Sequence, residues 1–158
     1  MIDATLKTLH VLSIIVWVGG MVFAHCFLRP AAALLEPPVR LRLMHDLLGR
    51  FFRAVLVAAL LTLASGVWML GRAAKQVVQS GGSFQMPLSW TVMAVLGVAM
   101  VAIFMHIRFA LYKRLDRAVA ASNWAAGGTA LAQLRTWVLV NLALGAVVLL
   151  VTLMARAG

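Results

Sequence analysis

The stretch HVLSIIVWVGGMVFAHCFL, residues 10–28, holds no lysine, arginine, aspartate or glutamate, yet it carries a histidine near each end, His10 and His25. Wound as a helix at about 1.5 Å per residue, such a run covers most of a hydrocarbon core of about 30 Å. Its apolar part, 11–28, has three counterparts at 54–70, 88–105 and 137–154, each free of charged side chains. Lipid admits only backbone whose polar groups are paired within the segment, so each window is expected to be a helix. The reading is all-α: a polytopic membrane protein, a four-transmembrane-helix bundle forming one domain over residues 1–158.

Composition supports this. Hydrophobic residues make up 64% of a chain of 158, more than the core of a soluble domain that size can hide. The net charge of +10 could suggest nucleic acid, but the basic residues are parcelled between the apolar windows, as at the flanks of membrane helices. A single cysteine, Cys26, excludes an internal disulfide and any cysteine-pair metal motif. The first window is too long for a signal-peptide core and has no small-x-small cleavage pattern, so it is kept as a span. With four acidic residues and no visible nucleophile–base constellation or phosphate loop, hydrolytic chemistry has little to work with. The bilayer is therefore the expected partner, and no nucleic acid is expected.

Charge also suggests orientation. The connection 29–53 holds Arg29, Arg40, Arg42, Arg50 and Arg53, and the connection 108–135 holds Arg108, Lys113, Arg114, Arg117 and Arg135. Both should face the cytoplasm, which puts both termini outside, with Trp68 and Trp90 at the outer interface and Trp124 and Trp137 at the inner one. Arg29-Pro30 and Glu36-Pro37-Pro38 are expected to stop the first helix, and Gln79-Ser80-Gly81-Gly82-Ser83 with Pro87 to separate the second from the third. Gly127-Gly128-Thr129 is expected to cap the fourth. Residues 38–50, with Leu41, Met44, Leu47 and Leu48 among charges, read as an interfacial turn or a cytoplasmic extension of the second helix.

Polar or small residues at three- and four-residue spacing mark inward faces. These are Ala58, Thr62, Ser65 and Met69 on the second helix, Val95, Ala99, Ala102 and His106 on the third, and Asn141, Gly145, Val148 and Thr152 on the fourth. The first helix aligns His10, Ile14, Trp17, Met21 and His25. His10 and His25 are separated by about 22 Å of rise and about 60° of rotation, so they cannot share one metal. His106 lies near the depth of His25, and two imidazoles from different helices at one depth can ligate a b-type haem. In that arrangement Lys113 would meet a propionate, while Asn141, Thr62 and Ser65 would supply supporting hydrogen bonds. Soft thioethers beside imidazole suit copper(I) equally well. His10, Met69, Met93 and Met154 all fall in the outer half. Met93 lies about 140° around its helix from His106, so the two cannot both face inward, and Met69 is the better placed ligand. His45, in a basic connection, is expected to be solvated.

His10-x6-Trp17-x-Gly19-Gly20, Leu28-Arg29-Pro30-Ala31, Glu36-Pro37, Gly49-Arg50-Phe51-Phe52, Gly66-x-Trp68 and Ile103-Phe104-Met105-His106 together resemble the copper resistance D-like family of bacterial inner-membrane proteins, in its stand-alone four-helix form. The first motif is also similar to the HemJ-type protoporphyrinogen oxidases, which are b-haem membrane proteins. After Gly20 this chain departs from that pattern, with His25-Cys26 and Arg29-Pro30 in place of the family's Pro-Arg segment. The first resemblance implies copper uptake or resistance in the inner membrane; the second implies haem-supported redox chemistry with His10 as a haem ligand and Trp17 packed beside the cofactor.

Three readings follow. In the leading one, haem b is held by His25 and His106, with His10 as a second ligand position, and electrons pass to a redox partner or quinone. In the second, copper(I) is bound by His10 and Met69 outside and received by His25, Cys26 and His45 inside. In the third, the chain is an assembly subunit whose histidines only pack. A homodimer is compatible with all three, and whether the chain is an enzyme is left open.

Overall fold

The computed structural model describes residues 2–157, and side chains over 4–155. Four helices long and apolar enough to cross a membrane follow one another: α1 (Ala4–Ala33), α2 (Pro37–Gln79), α3 (Leu88–Ala120) and α4 (Trp124–Ala155). No strand occurs among the described residues. The protein is thus an all-helical, multi-pass membrane bundle, in which α1 packs along α2 and α3 along α4.

The helices outrun the apolar windows. α2, at 43 residues, is about 65 Å long, roughly twice the hydrocarbon thickness. Residues 38–50 therefore form its continuous extension rather than a separate interfacial turn. α3 likewise continues past His106 through a widened π-turn, Ile107–Leu111, to Ala120. The connection 108–135 is thus almost wholly helical, broken only by a tight turn at Ala121–Asn123. Ser122 adopts a left-handed φ of 51° there, and the Asn123 side chain accepts the Ala126 N–H at 3.0 Å. Asn123, not Gly127-Gly128-Thr129, is the N-terminal cap of α4, because its amide oxygen satisfies a backbone donor that glycine cannot.

Arg29-Pro30 does not end α1 either. A π-turn at Ala24–Leu28 resets the hydrogen-bonding frame, and Pro30 falls in the first turn of the segment Arg29–Ala33, where a missing N–H costs little. The chain turns only before Glu36-Pro37, as expected. At the far end, Gly81 with φ 83° and Pro87 divide α2 from α3, also as expected.

Most tightly buried side chains lie in the arginine-rich end that projects beyond the apolar windows, or at its border: Leu41, Leu48 and Phe52 of α2, Ile107, Leu111 and Leu115 of α3, and Leu134 of α4. Phe52 joins them edge-on to Phe104 (centroids 6.1 Å) and Tyr112 (5.5 Å). In water, burying such residues drives folding; within lipid that drive is absent, and apolar side chains can face outward. The inward faces expected for α1, α2 and α4 are observed. That of α3 is not: Val95 is 62% exposed, and Ala102 and His106 also face out, while Met100, Phe104, Ile107 and Leu111 face in. Small residues do not mark the packed side here, because bulky ones fill the interior and short apolar ones suit lipid equally.

α1 and α2 meet most closely at Gly20. The Phe51 ring occupies the space where a Cβ would stand, whereas nothing lies within 4 Å of the corresponding position at Gly19. Gly20→Ala is expected to destabilise the bundle by about 1–3 kcal/mol through overpacking, and Gly19→Ala to leave it unchanged or slightly more stable. Thermal unfolding in detergent, followed by circular dichroism, checks both.

Candidate functional site

A serine on the neighbouring helix holds the His10 ring. Ser65, 3% exposed on α2, donates to the backbone oxygen of Leu61 at 2.5 Å, with that of Thr62 at 3.2 Å. Its oxygen also lies 2.9 Å from His10 Nδ1 on α1. The Thr62 backbone is a second hydrogen-bond partner of His10. Where the serine proton stays on the helix backbone, Ser65 accepts from His10 Nδ1–H, the tautomer in which Nε2 carries the lone pair. A hydrogen bond of this kind orients a ligating imidazole and sets its tautomer.

Helix register shows what shares this depth. A Cβ placed on Gly145 of α4 would touch Met100 of α3 at 3.2 Å and Val18 of α1 at 3.3 Å, so those three residues lie at one level. Seven or eight residues nearer the terminal end, about 10–12 Å along the helices, come Met93 on α3, Thr152 on α4 and His10 on α1. Met93 is turned toward α4: its Sδ lies 3.1 Å from the Thr152 hydroxyl, which is 2.7 Å from the Val148 carbonyl. Met69, half-buried, is one turn beyond Ser65 on the same face of α2. Buried Thr62 Oγ1, one turn the other way, has no hydrogen-bond partner.

Deeper in the bundle, Met100 and Met21 are buried, as is Trp17, whose ring meets Phe104 edge-on at 5.9 Å. Trp17 is thus packed within the core. Asn141, 1% exposed, stands one turn from Gly145 at about the level of Met21 and Phe104, and neither its Nδ2 nor its Oδ1 has a partner. Met44 of α2 is buried in the arginine-rich end, where it lines a cavity with His25.

At that end His25 lines a cavity of about 280 Å³ between α1, α2 and α4. His106 does not line it. It is exposed and lies edge-on to Trp137, with ring centroids 5.3 Å apart. Lys113 is exposed as well. The described arrangement therefore gives no support to a haem shared by His25 and His106, and the cavity is at the small end of about 300–1,000 Å³ for ligand pockets. The inner residues considered for copper are not gathered together either. Cys26 is exposed, and His45 belongs to a different cluster. Its Nε2 donates to Asp116 at 2.8 Å and its Nδ1 is 3.5 Å from Asp46. Its ring stacks on Tyr112, whose hydroxyl donates to the His45 carbonyl at 3.0 Å. His45 is thus a tie between α2 and α3, not a solvated loop residue. Among the described residues, no group of three or more histidine, cysteine, aspartate or glutamate side chains could hold a metal ion.

Sequence reasoning passed over Met93 in favour of Met69. The signal was nevertheless there, since Met93 and His106 oppose each other on α3 and only one of them could face the interior.

Compared with known proteins, the chain matches the family model described as Copper resistance protein D over residues 45–155, which takes in α2 from its projecting end through α4. No curated protein and no solved structure gives a match.

Two variants probe this geometry. Asn141→Leu removes two unpaired polar atoms and is expected to stabilise the bundle by about 1–3 kcal/mol. Tyr112→Phe removes the bond to the His45 carbonyl and is expected to cost about 1 kcal/mol. Denaturation midpoints in mixed micelles measure both.

Proposed function

The chain belongs to the copper resistance protein D family, and from that premise we propose that it binds copper(I) as cargo inside the bundle and passes it along the membrane interior. What carries the reading is His10: an imidazole bonded through Nδ1 to Ser65, so that Nε2 is the nitrogen that would take the ion, at the depth of the inward Met93 thioether. Copper(I) is a soft ion that favours thioether and imidazole over oxygen. Met69, one turn beyond Ser65, supplies a further sulfur at the same end.

The buried thioethers of Met100 and Met21 give the ion successive soft stations from this entry toward the arginine-rich end. Neutral sulfur donors suit that passage, because a monovalent ion held by thioethers leaves no unpaired ligand charge in a low-dielectric interior. In this reading the terminal end of the bundle receives the ion, and the arginine-rich end lies in the cytoplasm of a bacterial inner membrane by the positive-inside rule. The chain then acts in copper homeostasis as a carrier or conduit rather than as an oxidoreductase.

Competition of the purified protein with a colorimetric copper(I) chelator tests the proposal. His10→Ala is expected to weaken binding by about 100-fold, and Ser65→Ala, which loses only the orienting bond, by about tenfold. Met93→Leu should fall between them. Met154→Leu, at a side chain that is 74% exposed, should match the parent. Parental affinity in His10→Ala would overturn the proposal, and a Soret band in the purified protein would return it to haem.

A further inference from the structure

The cavity beside His25 presents three guanidiniums, Arg29, Arg40 and Arg135, and no carboxylate lines it. Among the described residues, none of the three has a hydrogen-bond or ion-pair partner. Such a field repels a copper ion, so the cavity is not the continuation of the thioether path. It attracts an anion, and its position says which kind.

Arg29 immediately follows the apolar window 11–28, and Arg135 stands two residues before the window 137–154. Arg29 and Arg135 are therefore at headgroup level, and Arg40, on the projecting part of α2, reaches the cavity from the water side. Apart from His25, the rest of the wall is apolar, with Met44, Leu131 and Val138 among its residues. A cationic rim at the membrane surface above an apolar wall is complementary to one molecule already abundant there, an anionic phospholipid. Arginine pairs with phosphate oxygens in bidentate geometry, and basic pockets between transmembrane helices on the cytoplasmic side hold anionic headgroups. At about 280 Å³ the cavity takes the phosphate, the glycerol and the first acyl carbons, with the remaining chain in the bilayer.

We propose that this cavity is a specific site for an anionic phospholipid of the leaflet at the arginine-rich end, its phosphate held by Arg29, Arg40 and Arg135. The bound lipid stands between α1 and the α2–α4 pair and neutralises three like charges that otherwise repel one another across the cavity. The site is independent of the copper reading, since His10 and Met93 lie in the opposite half of the bundle.

Native mass spectrometry of the detergent-purified chain, incubated with equal dioleoyl phosphatidylglycerol and dioleoyl phosphatidylcholine, tests it. One phosphatidylglycerol should be retained per chain in preference to phosphatidylcholine. Each arginine near an anionic headgroup contributes about fivefold, so Arg40→Gln with Arg135→Gln should reduce retention roughly 30-fold. Gly128→Phe is the second variant. A Cβ there meets nothing within 4 Å, so the ring can fill the cavity while every charge remains; it too should expel the lipid. Arg114→Gln, which removes an arginine bonded to Gln133 outside the cavity, should retain it, as should His10→Ala. Equal retention of the two lipids, or full retention by Gly128→Phe, overturns the proposal. Displacement of phosphatidylglycerol by millimolar inorganic phosphate would also overturn it, by showing a small-anion site instead.

Discussion

Two solvents act on this chain, and the difference between them organises the bundle. In hydrocarbon every backbone N–H and C=O must be paired internally, which makes each apolar window a helix but gives helices no hydrophobic reason to associate. In water apolar burial does supply that reason. The projecting arginine-rich end concentrates the well-buried residues, Leu41, Leu48, Leu111, Leu115 and Leu134 among them, and so clamps the helices from one side. Toward the terminal end, contacts are made by fewer and more specific groups, such as His10 with Ser65 and Thr152 with Met93.

That division bears on function. A bundle clamped at its arginine-rich end can hold polar and soft groups in its interior without losing the fold. Thr62 and Asn141 retain unpaired polar atoms in the interior, which a protein selected for stability alone would tend to replace with apolar side chains. Three widened turns, at Ile15–Gly19, Ala24–Leu28 and Ile107–Leu111, lie where helices shift register past the core. Such turns are frequent where helices carry functional side chains. The first includes Trp17 and the second includes His25.

Much of this was legible from residue order, for reasons that can be named. Charge-free windows specify spans because lipid tolerates little else, and the faces of α1, α2 and α4 follow from polar residues that cannot face lipid cheaply. Ser65 and Asn141 are found inside for that reason. α3 has no strongly polar residue between Thr91 and His106, so its orientation rested on size alone, and size misled. The copper resistance family was recognisable from a set of motifs along the chain, of which Gly49-Arg50-Phe51-Phe52, Gly66-x-Trp68 and Ile103-Phe104-Met105-His106 lie within the matched residues 45–155 and those on the first helix lie outside it. The tie of His45 to Asp46, Asp116 and Tyr112 depends on α2 and α3 continuing beyond the membrane, which the apolar windows do not reveal. The tautomer of His10 depends on a hydroxyl proton shared between helices, which no one-dimensional pattern encodes.

The central claim is that one imidazole and thioether sulfur hold copper(I) together in the terminal half of the bundle. X-ray absorption at the copper edge, on the chain loaded with one equivalent of copper(I), tests it most directly. The account predicts a first shell containing both a histidine nitrogen and sulfur, with the nitrogen component lost in His10→Ala. A shell of light atoms only, or a spectrum unaltered by that substitution, would contradict it.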